Sequence, residues 1–298
     1  MFTTLPYPKV PADLRALKEK REPSNWNDPL QESQILSGEE VRIIDASGPW
    51  FLVDLLNQPV FKNNQWVPYQ GWVLKETFSI IDKKPNWCVI KVETEIKADK
   101  NKTSLTIGKL PLGSRLFGEL DGEWLKLNLG SETGYISRNS VDSLVKPLHP
   151  KELLSRAIDL IDIPYFWGGL NPSQEQGVDC SGLTHLLFRS FGKTIPRNAH
   201  DQFLKCERKR FSDLKTGDLL FSSEKGVGGR ITHVMLFVQG NRIIEAVKSE
   251  RKVRIISLKK KFNEELNPFL EEQELSDGTA VFYGSLLPIS GGEKTGLI

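Results

Sequence analysis

The sequence predicts an α+β protein in which two small β-barrels stand in tandem ahead of a larger α+β unit. Three observations predict it. A glycine, a strand tryptophan and a closing Gly-aromatic-aliphatic run occur twice between residues 33 and 147. The segment Lys146-Pro147-Leu148-His149-Pro150 then interrupts the β pattern, because its two prolines fix φ and continue no strand. Beyond it, helical and strand periodicities alternate to about residue 285.

Composition bounds the function. The 298 residues suit two or three domains. A hydrophobic content of 39%, with seven Trp and fifteen Phe, excludes a disordered or fibrous chain. Forty Lys plus Arg against thirty-eight Asp plus Glu leave a formal charge of +2, too balanced for a phosphate-tracking surface, so no nucleic-acid partner is expected. No apolar run is long enough to span a bilayer, so no membrane partner is expected either. Prolines break the amino-terminal stretch before any signal-peptide core can form, and three cysteines leave one unpaired in any connectivity. Both point to a cytoplasmic protein, here expected as a monomer. CxxC and HExxH spacings are absent, so no metal or other cofactor is expected.

Residues 1–32 form an amino-terminal segment rich in Pro, Lys and Glu, with one helix expected over Asp13 to Arg21. The first barrel is expected over 33–82, where VRIID, WFLVDLL and GWVLKE are separated by turn residues. Its Gly38, Val41, Ile43, Trp50, Val53 and Gly71-Trp72-Val73 answer to Gly113, Leu116, Trp124, Leu127 and Gly134-Tyr135-Ile136 of a second barrel over 83–147. The glycine-to-tryptophan interval is one residue longer in the first copy. The later interval is much longer, which marks an insertion around Asn57 to Gln70 carrying Trp66 and Tyr69. Such an insertion is either a binding loop or a tolerated surface excursion.

In the third unit, KELLSRAIDLI at 151–161 places Leu153, Leu154, Ala157, Ile158 and Ile161 at helical spacing and ends at Ile163-Pro164. A second helix, from about Ser181 to Phe191, presents Leu183, Leu186, Leu187 and Phe191 and sets Cys180 at its amino terminus. Free backbone N–H groups and the helix dipole there favour thiolate, the nucleophilic form. A packed structural cysteine is the alternative, although Asp179, Ser181 and Gly182 are poor core neighbours. Cys88 and Cys206 read as structural or incidental. A nucleophilic cysteine needs a base, and His233 lies in the strand RITHVMLFVQ, followed after a turn by IIEAVKS. A three-residue loop, Val238-Gln239-Gly240, pairs His233 with Glu245 on one sheet face, where the carboxylate can orient the imidazole. A two-residue Gly240-Asn241 turn instead puts Glu245 on the opposite face.

PYFWGG, DCSGL, IPRNAHDQ, TGDLLF and the THV strand with a polar residue twelve positions later follow one another over about 150–285. In that order they resemble the NlpC-type cysteine peptidases, papain-like enzymes of bacterial peptidoglycan. The two repeats resemble bacterial SH3-like domains. Together they look like the subgroup that cuts the γ-D-glutamyl–diamino acid bond, diaminopimelate included, in wall peptides with a free amino-terminal L-alanine. The resemblance implies a papain-like α+β peptidase domain over 148–285, with a tail at 286–298. It implies Cys180 as nucleophile, His233 as general base, Glu245 as the residue orienting it, and Tyr165 near the developing oxyanion. Asp179 would pair with the substrate ammonium, Ser181 and Trp167 would line the same pocket, and Glu39 and Tyr69 of the first barrel would close it. The implied partner is a peptidoglycan-derived peptide and the implied role is recycling.

Three departures stand out. Most relatives carry His, Asn or Gln where Glu245 stands, the loop between Trp167 and Cys180 is about three residues longer than usual, and Asn198-Ala199 replaces an Asp or Ser. They motivate two alternatives: a non-catalytic wall- or muropeptide-binding protein, and a papain-like amidase or acyltransferase. The basic stretch RKVRIISLKKKF at 251–262 reads as a solvated face.

Overall fold

The internal repeat takes the form of two β-hairpins of matching register in the computed structural model, which describes residues 2–4, 31–78, 83–129 and 132–287. The helix expected over Asp13 to Arg21 and positions 288–298 of the expected tail lie outside the described residues. Strand β1 (Phe2–Thr4) pairs with β2 (Ser33–Ile35), and β3 (Val41–Ser47), β4 (Trp50–Lys62) and β5 (Gln65–Leu74) form an antiparallel sheet in that order. The next eight strands are β6 (Trp87–Val89), β7 (Glu93–Lys97), β8 (Thr106–Pro111), β9 (Arg115–Leu116), β10 (Gly118–Asp121), β11 (Trp124–Asn128), β12 (Thr133–Ser137) and β13 (Val141–Ser143). They make two sheets, β10-β11-β12-β7-β8 and β13-β6-β9.

Ser47 pairs with Trp50 around Gly48, and Asp121 pairs with Trp124 around Gly122. Both glycines take left-handed φ, 51° and 61°, as a tight hairpin turn requires. Val53 faces Gly71 in the first copy, and Leu127 faces Gly134 in the second. The extra residue of the first copy is a β-bulge. The register steps from Ile43 to Asp45 and skips Ile44, whose side chain is half exposed.

The insertion is a continuation of the β4–β5 ladder out to Lys62 and Gln65. Asn63 and Asn64, at φ 51° and 60°, close it, a pairing of left-handed residues that asparagine tolerates. A register shift between Leu55 and Pro59 bends the extension toward the third unit. There the Pro59 carbonyl accepts from Arg197 N at 3.1 Å, and Lys205 Nζ lies 5.3 Å from the Trp66 ring centre. Docking both a backbone group and an aromatic ring makes this hairpin a clamp between units.

The third unit begins with α1 (Pro150–Ile158), which carries proline at its first turn, where the missing N–H costs nothing. A short ladder of β14 (Leu170–Asn171) and β15 (Gly177–Val178) leads into α2 (Cys180–Arg189), then α3 (Ala199–Lys205) and β16 (Glu207–Arg208). The remaining elements are β17 (Leu219–Ser223), β18 (His233–Val238), β19 (Arg242–Val247), β20 (Lys252–Ser257), α4 (Leu258–Phe262), β21 (Glu272–Glu274) and β22 (Ala280–Ser285). The sheet order is β16-β22-β17-β18-β19-β20, with β21 paired to β22. Alternation along the strands gives it two apolar faces. Phe221, Val234, Leu236 and Ile244 meet Leu183, Leu186, Leu187 and Phe188 of α2, and Leu220, Met235, Phe237 and Ile243 meet Leu258 of α4. The fold is thus α+β and rich in strands.

Gly38 shows how closely the units fit. Its φ is +73°, and an added Cβ would lie 1.9 Å from the Arg115 carbonyl oxygen. Gly38→Ala is expected to lower stability by about 2–4 kcal/mol, measured by denaturant unfolding. Gly48→Ala, also at positive φ but with nothing within 4 Å, is expected to cost about 1 kcal/mol. Equal effects would refute the close approach.

Candidate active site

Cys180 heads α2 because Asp179 caps it. Asp179 is extended, at φ −90° and ψ 178°, and its Oδ1 accepts from Gly182 N at 2.5 Å. Its Oδ2 accepts from Gly168 N at 2.8 Å. Arg197 spans both oxygens, Nη1 to Oδ1 at 3.1 Å and Nη2 to Oδ2 at 2.8 Å. Ser181 Oγ donates to Asp179 Oδ1 at 3.2 Å and accepts from Arg197 Nη1 at 3.0 Å. Arg197 is 1% exposed and Asp179 7%, so this is a buried, bidentate pair.

The amino-terminal strand β2 seals the same corner. Arg197 Nε donates to Ser33 Oγ at 2.9 Å, and Ser33 Oγ donates to Gln58 Oε1 at 2.5 Å. Gln34 Oε1 accepts from the backbone N–H groups of Leu170 and Asn171 at 2.6 and 3.2 Å, and Gln31 Nε2 donates to the Trp167 carbonyl at 2.7 Å. Trp167 itself is 48% exposed at the rim.

His233 opens β18. Its Nε2 lies 2.7 Å from Glu245 Oε2, and Cys180 is the other side chain close enough to favour the charged form of the ring. The loop between β18 and β19 is Gln239–Asn241, since Val238 pairs with Arg242 and Phe237 with Ile243. This corrects the expected loop by one position. Gly240 and Asn241 both take left-handed φ, 75° and 53°, which moves the centre of the turn. Continuing the register, His233 lies across from Val247 and Glu245 across from Met235. The two are diagonal rather than directly opposed, but they keep the same face, and a diagonal of about 7–8 Å is within reach of these long side chains.

Glu245 is fully buried. Its Oε2 also accepts from Lys261 Nζ at 2.8 Å, and its Oε1 accepts from Arg254 Nε and Nη2 at 2.9 and 2.6 Å. Burial opposes its charge. The hydrogen bond and charge of His233, followed by those of Lys261, nonetheless hold the carboxyl well below the usual range. Burial likewise disfavours the imidazolium of His233, yet the neighbouring Cys180 and Glu245 push it up to about 9. The ring is therefore charged at neutral pH.

Tyr165 is buried next to this centre. Burial, then the charges of Asp179 and Cys180, raise its hydroxyl above the ordinary value, so it stays a neutral group. Tyr69, from the clamp, donates its hydroxyl to Glu32 Oε2 at 2.8 Å and feels the charges of Arg197 and Asp179. Glu39 is placed elsewhere. Its buried carboxylate accepts from Gln58 Nε2 at 2.8 Å and from Leu36 N at 3.3 Å, with Arg189 Nη1 at 3.7 Å. The acid beside Tyr69 is Glu32. Sequence reasoning passed over Glu32 and Arg197, although Arg197 stood within a quoted motif, IPRNAHDQ. It read 251–262 as a solvated face, which the structure corrects at Arg254 and Lys261: their side chains, 16% and 18% exposed, turn inward to bond the buried carboxylate of Glu245. His200 accepts from Ile231 N at 3.3 Å, two residues before His233.

No helix among the described residues is long and apolar enough to cross a membrane, and no group of three His, Cys, Asp or Glu among them could hold a metal ion. Relatives named gamma-D-glutamyl-L-lysine dipeptidyl-peptidase match over most of the chain. The one from Bacillus cereus is 28% identical over 76% of this chain and 70% of its own, and that from Bacillus subtilis is 27% identical over 78% and 77%. The Escherichia coli murein DD-endopeptidase MepS/murein LD-carboxypeptidase is 32% identical over 46% of this chain and 73% of its own. A crystal structure of an NlpC/P60 family protein from Bacillus cereus superposes with a TM-score of 0.69, at 22% identity, over 86% of this chain and 92% of that one. The model of the NlpC/P60 family matches residues 162–268, the stretch that holds Cys180, His233 and Glu245, and the chain belongs to that family of cysteine peptidases.

Proposed function

We propose that the enzyme hydrolyses the γ-D-glutamyl–L-diamino acid bond of peptidoglycan-derived peptides that carry a free amino-terminal L-alanine. The observation that carries this reading is the imidazole of His233 bonded to Glu245, with Cys180 close enough to favour its charged form. The Cys180 thiolate attacks the γ-glutamyl carbonyl, forming the S–C bond, and the oxyanion develops near the hydroxyl of Tyr165. Collapse breaks the C–N bond while imidazolium His233 gives its proton to the leaving amine. Water then attacks the thioester, returns a proton to His233 and releases the thiolate. Glu245 holds the ring throughout.

The free amine is read by charge. Asp179 is already matched by Arg197, so that pair is neutral overall. A substrate ammonium needs a further anion. Glu32, half-buried and bonded to Tyr69, supplies it, with Asp179 and Ser181 behind and Trp167 at the rim. The named activity of the two Bacillus relatives supports this choice of bond. We place the three units at 33–82, 83–147 and 148–285, in a cytoplasmic monomer.

The test is product identification. Incubation with L-Ala-γ-D-Glu-L-Lys, and with the diaminopimelate equivalent, should release the dipeptide L-Ala-γ-D-Glu. Acetylating the alanine amine should slow release by about 100-fold or more, because it removes the charge that Glu32 meets. Cleavage of another bond, or equal rates for free and acetylated substrates, would refute the assignment.

A further inference from the structure

Glu245 meets more charge than a hydrogen-bond acceptor for histidine needs. Its two oxygens receive four contacts from three cationic side chains, each from a different element. His233 of β18 and Lys261 of α4 share Oε2, at 2.7 and 2.8 Å, and Arg254 of β20 chelates Oε1 through two nitrogens. Arg254 is itself tethered by Glu250, four residues earlier. The side chains of Lys261 and Arg254 are only 18% and 16% exposed, so neither is a loose surface cation. The topology explains how they converge. Glu245 lies on the sheet face shared with Ile243 and Met235, the face that α4 covers through Leu258. Glu245 also pairs directly with Arg254 across the β19–β20 ladder.

We propose that Arg254 and Lys261 are positioning residues for catalysis: Arg254 fixes the plane of the Glu245 carboxylate, and Lys261, on the oxygen that binds His233, limits how tightly that carboxylate holds the imidazole proton. A buried carboxylate alone at this distance would clamp the imidazolium and leave His233 a poor acid toward the leaving amine. A second cation on the same oxygen draws part of that charge away. Cys180 of α2 is the other titratable group that acts on the His233 ring, while His200 and Asp201 lie on α3, whose His200 reaches the backbone two residues before His233. His200 is engaged by Ile231 N and Asp201 by Asn198. Among these side chains, Lys261 is the one that shares an oxygen with the ring.

The inference rests on His233 acting as proposed above, so its test has one readout that needs no turnover. The 15N shifts of the His233 ring are followed against pH in the full-length chain, alongside pH profiles of kcat/KM for tripeptide hydrolysis. In Lys261→Met the ring midpoint and the alkaline limb should both move up by about one pH unit, and kcat at neutral pH should fall several-fold with KM unchanged. Lys261→Arg should restore both. Arg254→Met should lower kcat by about tenfold or more at nearly constant KM, and Arg254→Lys, unable to chelate, should recover little of it. A Lys261→Met enzyme that loses thermal stability while its ring midpoint stays in place overturns the inference. A wild-type chain that fails to cleave the tripeptide overturns the functional reading, and the ring titration still decides the role of Lys261.

Discussion

Cys180→Ala is expected to reduce hydrolysis of the tripeptide by about four orders of magnitude or more, since it removes the sulfur on which the proposed acyl intermediate forms. His233→Ala should cost about as much, and the double variant should cost little beyond either single one, because the two act as one unit. Binding should change little. In the proposed binding mode Asp179, Glu32 and Tyr69 would hold the amine end of the peptide without help from the sulfur, so calorimetric affinity for uncleaved tripeptide should stay within a few-fold. A residual rate above about 1% in Cys180→Ala would place the nucleophile elsewhere.

The second large effect is on stability. Arg197→Met is expected to lower unfolding free energy by about 3–5 kcal/mol, the range for breaking a buried ion pair from one side. It strands Asp179 at 7% exposure with its charge unmatched, and it removes the donor to Ser33. Arg197→Met combined with Asp179→Asn should recover part of the loss, because the uncompensated charge disappears while the cap to Gly182 survives. Urea unfolding of the wild type, the two single variants and the double variant completes the cycle. A loss below about 1 kcal/mol for Arg197→Met would show that the pair is exposed to water in solution.

These effects mark where sequence reasoning runs out. The repeat was legible because its glycines and tryptophans recur at turns that need them, and its one-residue mismatch is the bulge at Ile44. The shared face of His233 and Glu245 follows from strand parity, which survived a loop displaced by one residue. Cys180 stood out because a capping aspartate and small residues surround it at a helix start. The rest depends on contacts between distant parts of the chain. Arg197 reaches Ser33 across 164 residues, and Tyr69 finds Glu32 in a segment whose composition shows no strand pattern. Glu39 and Glu32 are both acids near the first sheet, and composition cannot tell which is committed to Gln58 and which to the tyrosine.

One glutamine limits how the chain could be recombined. Gln34 supplies the acceptor for the N–H groups of Leu170 and Asn171, in the loop that leads to the nucleophile. Cutting the chain at the proline-flanked joint near residue 148 would leave those two amides and the Arg197 guanidinium short of their acceptors. The front half is therefore no detachable targeting tag, and a grafting experiment that swapped it for an unrelated adaptor would dismantle the very loop it was meant to carry.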